Sequence, residues 1–139
     1  MFGSHALKTW SSTQQVVSLS SGESELYALV KGAAQAKGLC AMLREYGVQV
    51  DAEVHTDATA AIGMVFRQDH SGRTRHIETA YLWVQDEVLH KRLTACKVGS
   101  AENPADLLTK ALSANNIERH LYTLDFKTSD SKSESALTL

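Results

Sequence analysis

Leu19-Ser20-Ser21-Gly22-Glu23-Ser24-Glu25-Leu26-Tyr27-Ala28-Leu29-Val30, followed by the small-residue run Lys31 to Leu39, is the stretch on which the fold turns. It opens a long helix. Ser20 is placed to cap the helix N-terminus, and Glu23, three residues on, completes a capping box. Leu26, Leu29, Val30, Ala33, Cys40 and Leu43 recur at a period near 3.6 and make the buried stripe of an amphipathic helix. Gly47 ends it. Glu25 lies one residue before Leu26 and one turn before Leu29, at the margin of that stripe. Its carboxylate is either a solvated edge residue or part of a polar site built over the core.

Downstream, Val48, Val50, Ala52, Val54 and Thr56 alternate with Gln49, Asp51, Glu53, His55 and Asp57, the period-2 pattern of a strand. Asp57 stands at the strand's end, where it can cap a short helix from Ala58 to Phe66. Upstream, Ala6 to Ser12 alternates as a further strand, and Val16 to Leu19 is a short extended candidate. Arg67 to Thr74 is a polar loop without periodicity; Arg67, Arg73 and Arg75, with His70 and His76, make it the most basic place in the chain. Three arginines in a loop are common, so a solvated connector is the default there and a phosphate-contacting loop the sharper alternative.

From Thr74 a second long helix carries Ile77, Tyr81, Val84 and Val88 at helical spacing. Leu93 to Val98 is a strand. Asn103 and Pro104 then start a helix to Leu112, as cap and first helical residue, with Asp106 in its first turn. A last helix covers Asn116 to Leu121. The order strand, helix, strand, helix, helix, strand, helix suits an α/β (α+β) fold, a mixed sheet flanked by helices. Residues 1–124 read as one domain, and the serine-rich tail 125–139 as disordered.

Bulk properties narrow the function. With 139 residues the chain has room for one substantial core. A net charge of -2 excludes a protein that holds nucleic acid by overall charge, so any such contact is local. No apolar run approaches the roughly 18 residues of a membrane span, and no signal peptide opens the chain. Cys40 and Cys96 form no metal-ligand spacing, which favours free thiols and an intracellular protein, cytoplasmic or nuclear.

Four blocks carry a resemblance: Trp10 to Leu29 around Ser-Ser-Gly-Glu-Ser-Glu-Leu, Thr56-Asp57-Ala58 to Ile62, Arg75-His76-Ile77-Glu78, and Glu102-Asn103-Pro104-Ala105-Asp106-Leu107-Leu108-Thr109-Lys110. In order and spacing they resemble the ribonuclease H domain of copia-type retrotransposon Pol polyproteins, over roughly Ala6 to Leu124. The resemblance implies a ribonuclease H-like fold and hydrolysis of the RNA strand of an RNA–DNA hybrid with two Mg²⁺ or Mn²⁺ ions. Carried over by position, Glu25, Asp57 and Asp106 are catalytic residues and metal ligands. Arg73, Arg75 and His76 are expected at the substrate, and the rest of a Pol polyprotein is an implied partner.

The chain also departs from that pattern. The family's first catalytic aspartate lies on a first strand upstream of the segment matching Trp10, and residues 1–22 contain no Asp or Glu. The expectation is a domain lacking the first strand and most of the second, truncated at its N-terminus and impaired as a nuclease. The alternative expectation is a non-catalytic nucleic-acid-binding or interaction module derived from a transposon.

Overall fold

The computed structural model describes residues 1–3, 5–67 and 79–126, the side chains of Thr79 and Ala80 excepted. The chain forms two compact units, one of Thr13–Ala101 and one of Met1–Ser12 with the chain from Glu102 onward.

In the unit of residues 13–101, helix α1 runs Ser21–Glu45 and is capped as its sequence dictates. The Glu23 N–H donates to Ser20 Oγ at 3.2 Å, and the Leu19 N–H donates to Glu23 Oε2 at 2.9 Å. Both otherwise orphaned donors are thereby satisfied. At the other end Gly47, at φ +79°, donates to the Arg44 carbonyl while Val48 donates to that of Leu43. This is a Schellman closure, and the left-handed residue it requires is glycine.

Strand β1, Ala52–Thr56, pairs in parallel with β2, Leu93–Lys97, in the register Ala52↔Leu93 to Thr56↔Lys97. Between them in sequence lie α2, Thr59–Phe66, and α3, Thr79–Leu89. Helices are the usual way to join parallel strands, which no hairpin can connect. Leu26, Leu29 and Ala33 of α1, Ala61 and Val65 of α2, Tyr81 and Val84 of α3, and Ala52, Leu93 and Ala95 of the strands are all buried in one core. Val30 and Cys40 pack against it, so the helical stripe expected from sequence is buried from Leu26 to Cys40, while Leu43 lies outside this core cluster.

Three strand expectations change. Ala6 to Ser12 and Val16 to Leu19 form no strand: alternation supplies faces, but a strand also needs a neighbour for its N–H and C=O groups. The strand expected from Val48 narrows to Ala52–Thr56, the five residues that β2 pairs. Among the described residues the sheet is therefore a parallel pair rather than a mixed sheet. The α/β class itself stands.

In the other unit, Phe2 and His5 exchange two backbone hydrogen bonds about Gly3, at φ +58°. Pro104–Leu108 is a 3₁₀ turn, capped by Asn103, whose Oδ1 accepts from the Ala105 N–H at 3.2 Å. The helix expected to reach Leu112 stops here because Leu108 is exposed and no apolar stripe continues to support it. Helix α4, Ala114–Thr123, follows and buries His120. His5 Nδ1 lies 3.2 Å from Asp125 Oδ2, just past the helix end. No helix among the described residues is long and apolar enough to cross a membrane.

Candidate functional site

The three carboxylates picked from the sequence stand at three element boundaries. Glu25 is in the second turn of α1 and is exposed, while Glu23, two residues earlier, is buried and used up in the cap. Asp57 follows β1 directly and is half-buried. It does not cap α2: the helix begins one residue later than expected, its N-cap is Ala58, and no side chain caps it. The turn is tied instead by Thr56 Oγ1, which accepts from the Ala58 N–H at 3.2 Å. That leaves Asp57 outside the helix it was expected to cap.

Glu25 and Asp57 belong to the same unit, and a close approach brings their elements together. A Cβ added to Gly22 would meet the Ala60 Cβ at 3.0 Å, so the first turn of α1 lies on the first turn of α2. Glu25 is three residues beyond Gly22 and Asp57 three before Ala60. Glycine at position 22 is what lets the two turns approach this closely.

Asp106 lies in the other unit. It is buried at the start of the 3₁₀ turn, and Lys110, one helical turn on, meets both of its oxygens at 2.9 Å. The i,i+4 spacing of Asp106 and Lys110 was a readable signal for this pair. Arg73, Arg75 and His76, expected at the substrate, lie outside the described residues, as does most of the tail.

A second group was not legible as such. Glu53 and His55 share the exposed face of β1, and the parallel register sets Cys96 opposite His55. Glu53 Oε1 accepts from Cys96 Sγ at 3.2 Å and lies 2.9 Å from His55 Nε2. The donor atoms of the three all lie within 4.8 Å of one another. Hydrogen bonding to the Glu53 carboxylate pushes the Cys96 thiol above its ordinary value, and burial adds to the effect. Alternation placed Glu53 and His55 on one face, but Cys96 is 41 residues beyond His55 and joins them only through strand pairing.

The chain is similar to a retrovirus-related Pol polyprotein from transposon TNT 1-94 of Nicotiana tabacum, with 32% identity over 118 residues, covering 84% of this chain and 9% of the relative. It is also similar to a retrovirus-related Pol polyprotein from transposon RE2 of Arabidopsis thaliana, with 26% identity over 113 residues, covering 80% of this chain and 8% of the relative. The chain spans less than a tenth of the length of either relative. No family model and no solved structure matches it.

Proposed function

We propose that this chain is a ribonuclease H-like domain of the copia-type Pol polyproteins, built to act on the RNA strand of an RNA–DNA hybrid. The observation that carries the reading is the placement of the acids: Asp57 directly after a parallel strand, Glu25 on the helix laid against the next one, and Asp106 in the first turn after Asn103-Pro104. The similarity to transposon Pol polyproteins supports it.

The donor set fits a hard divalent cation. All three side chains offer carboxylate oxygens, the ligands that Mg²⁺ and Mn²⁺ favour, and none is a soft donor. Glu25 and Asp57, which share a unit, would hold such an ion, and Asp106 is a candidate ligand carried over by position alone; the metal would supply an activated water and stabilise the leaving oxygen. The chain's own contribution is to present these charges from rigid elements. Exposure leaves Glu25 open to a cation, whereas the Lys110 ammonium balances the charge of Asp106.

With no acid in residues 1–22, the chain brings three carboxylates to a chemistry whose family set has four. A chain extended at its N-terminus by an Asp-bearing strand is expected to cleave faster than the 139-residue chain. The test is Mg²⁺- or Mn²⁺-dependent cleavage of a labelled hybrid by both chains, each with its Asp57→Asn counterpart. Cleavage by the extended chain that survives Asp57→Asn defeats the proposal.

The missing acid also favours a second reading, a non-catalytic module that binds nucleic acid through Arg73, Arg75 and His76. That reading expects hybrid binding in EDTA that Arg73→Ala with Arg75→Ala abolishes, and no cleavage by either chain.

A further inference from the structure

Outside the three acids, the exposed face of the β1–β2 pair gathers one sulfur, one imidazole nitrogen and one carboxylate. We propose that Glu53, His55 and Cys96 form a second, separate site that binds a single Zn²⁺ ion through Cys96 Sγ, a His55 ring nitrogen and a Glu53 oxygen.

The geometry suits that ion. A tetrahedral zinc about 2.0–2.3 Å from each donor separates the donors by about 3.3–3.8 Å. The observed separations from Glu53 Oε1 are 3.2 Å to Cys96 Sγ and 2.9 Å to His55 Nε2, so small side-chain rotations open the pocket. The backbone is already fixed. His55 and Cys96 are register partners on adjacent strands, and Glu53 is two residues before His55 on the same strand face. Strand-borne ligands need no loop to fold around the metal.

The donor chemistry selects the ion. A thiolate with an imidazole favours zinc over magnesium, which prefers oxygen throughout. This site therefore does not compete for the Mg²⁺ of the proposed nuclease centre. Three protein ligands leave a fourth position open to water or to a donor from another molecule. The side chains of Glu53 and His55 are 53% and 55% exposed, so the ion enters from solvent without any opening of the core. In the metal-free chain the Cys96 thiol donates to Glu53; on binding, that proton leaves to solvent and the sulfur bonds the metal.

The test uses the whole 139-residue chain under reducing conditions. Titration with Co²⁺ as a spectroscopic stand-in is expected to give a thiolate-to-metal charge-transfer band that saturates at one ion per chain and is reversed by one equivalent of Zn²⁺. Cys96→Ala removes the band and Cys40→Ala keeps it. His55→Ala or Glu53→Gln weakens binding by about tenfold or more, the scale on which even outer-shell partners count. Asp57→Asn leaves it unchanged. A measurement free of any folding defect uses the unmodified chain: Zn²⁺ protects Cys96, and not Cys40, from alkylation mapped by mass spectrometry. Equal alkylation of Cys96 with and without Zn²⁺, or a cobalt band that follows Cys40, overturns the proposal.

Discussion

Gly22 and Ala60 meet so closely that a Cβ on Gly22 would stand 3.0 Å from the Ala60 Cβ and 3.3 Å from Met64 Cε. The contact joins the start of α1, with its capping box, to the start of α2 just after Asp57. It brings the segments that carry Glu25 and Asp57 together.

Gly22→Ala is therefore expected to destabilise the fold by about 1 kcal/mol. Overpacking costs about 1–3 kcal/mol, and the better helix propensity of alanine returns up to about 1 kcal/mol. Urea unfolding of Gly22→Ala, Ala60→Gly and the double variant checks it. Ala60→Gly should cost less in the Gly22→Ala background than alone; strict additivity would mean that the two helices do not press on each other.

Tyr81 ties α3 to α2. Its hydroxyl donates to the Met64 carbonyl at 2.8 Å, and Gln85 Nε2 donates both to that carbonyl at 3.0 Å and to the Tyr81 oxygen at 2.7 Å. Tyr81→Phe leaves the carbonyl with Gln85 and the Arg67 N–H, 3.2 Å away, so a loss of about 0.5–1.5 kcal/mol is expected, the ordinary worth of one hydrogen bond. Tyr81→Phe and Gln85→Ala together should cost less than the sum of the singles, because the bond from Gln85 to the Tyr81 oxygen is lost in either one. Strict additivity would mean that the Gln85–Tyr81 bond contributes nothing to stability.

Glu87 makes the chain's stability depend on acid. Its carboxylate is buried, with Lys37 Nζ 2.8 Å from Oε2 and the Arg92 Nε–H donating to Oε1 at 3.0 Å. The Lys37 contact above all, opposed by burial and aided by Arg92, holds its carboxyl below the ordinary 4.5. The unfolded chain thus takes up this proton at a higher pH than the folded one. Its contribution is complete above the ordinary value and is lost as pH falls through the folded value. The urea midpoint is expected to fall as the solution is acidified below pH 4.5, and Glu87→Gln should flatten that decline. An identical slope in the variant would show that the Lys37 and Arg92 pairings do not stabilise the fold.

If Asp106 is a metal ligand as proposed, Lys110 stands where the cation would approach it, and its removal is expected to help the metal. In an N-terminally extended, active chain, Lys110→Met should lower the Mg²⁺ concentration for half-maximal hybrid cleavage by about 1.4- to fivefold, the equivalent of an exposed ion pair worth roughly 0.2–1 kcal/mol. Glu25→Gln and Asp57→Asn should take cleavage to background while leaving hybrid binding in EDTA intact. A higher Mg²⁺ requirement in Lys110→Met would instead make Lys110 a support of the site.

What the sequence determined by itself was local. The capping box of Ser20 and Glu23, the apolar stripe of α1, the glycine that closes it and the Asn103-Pro104 start all follow from interactions within a few residues, and all are present. The placement of Asp57 after a strand and of Asp106 in the turn after Pro104 was legible for the same reason, whereas Glu25 lies in the second turn of α1. Tertiary structure decided whatever needed a partner from elsewhere in the chain. Alternation at Ala6–Ser12 made no strand without a neighbour, and the run from Val48 shrank to the five residues that β2 pairs. Glu87 is buried only because Lys37 and Arg92 reach it, and Cys96 meets His55 only through a parallel register that no spacing along the chain encodes. Local hydrogen bonds and side-chain periodicity are written in consecutive residues; burial and cross-strand register are properties of pairs, and they exist only once the chain has folded.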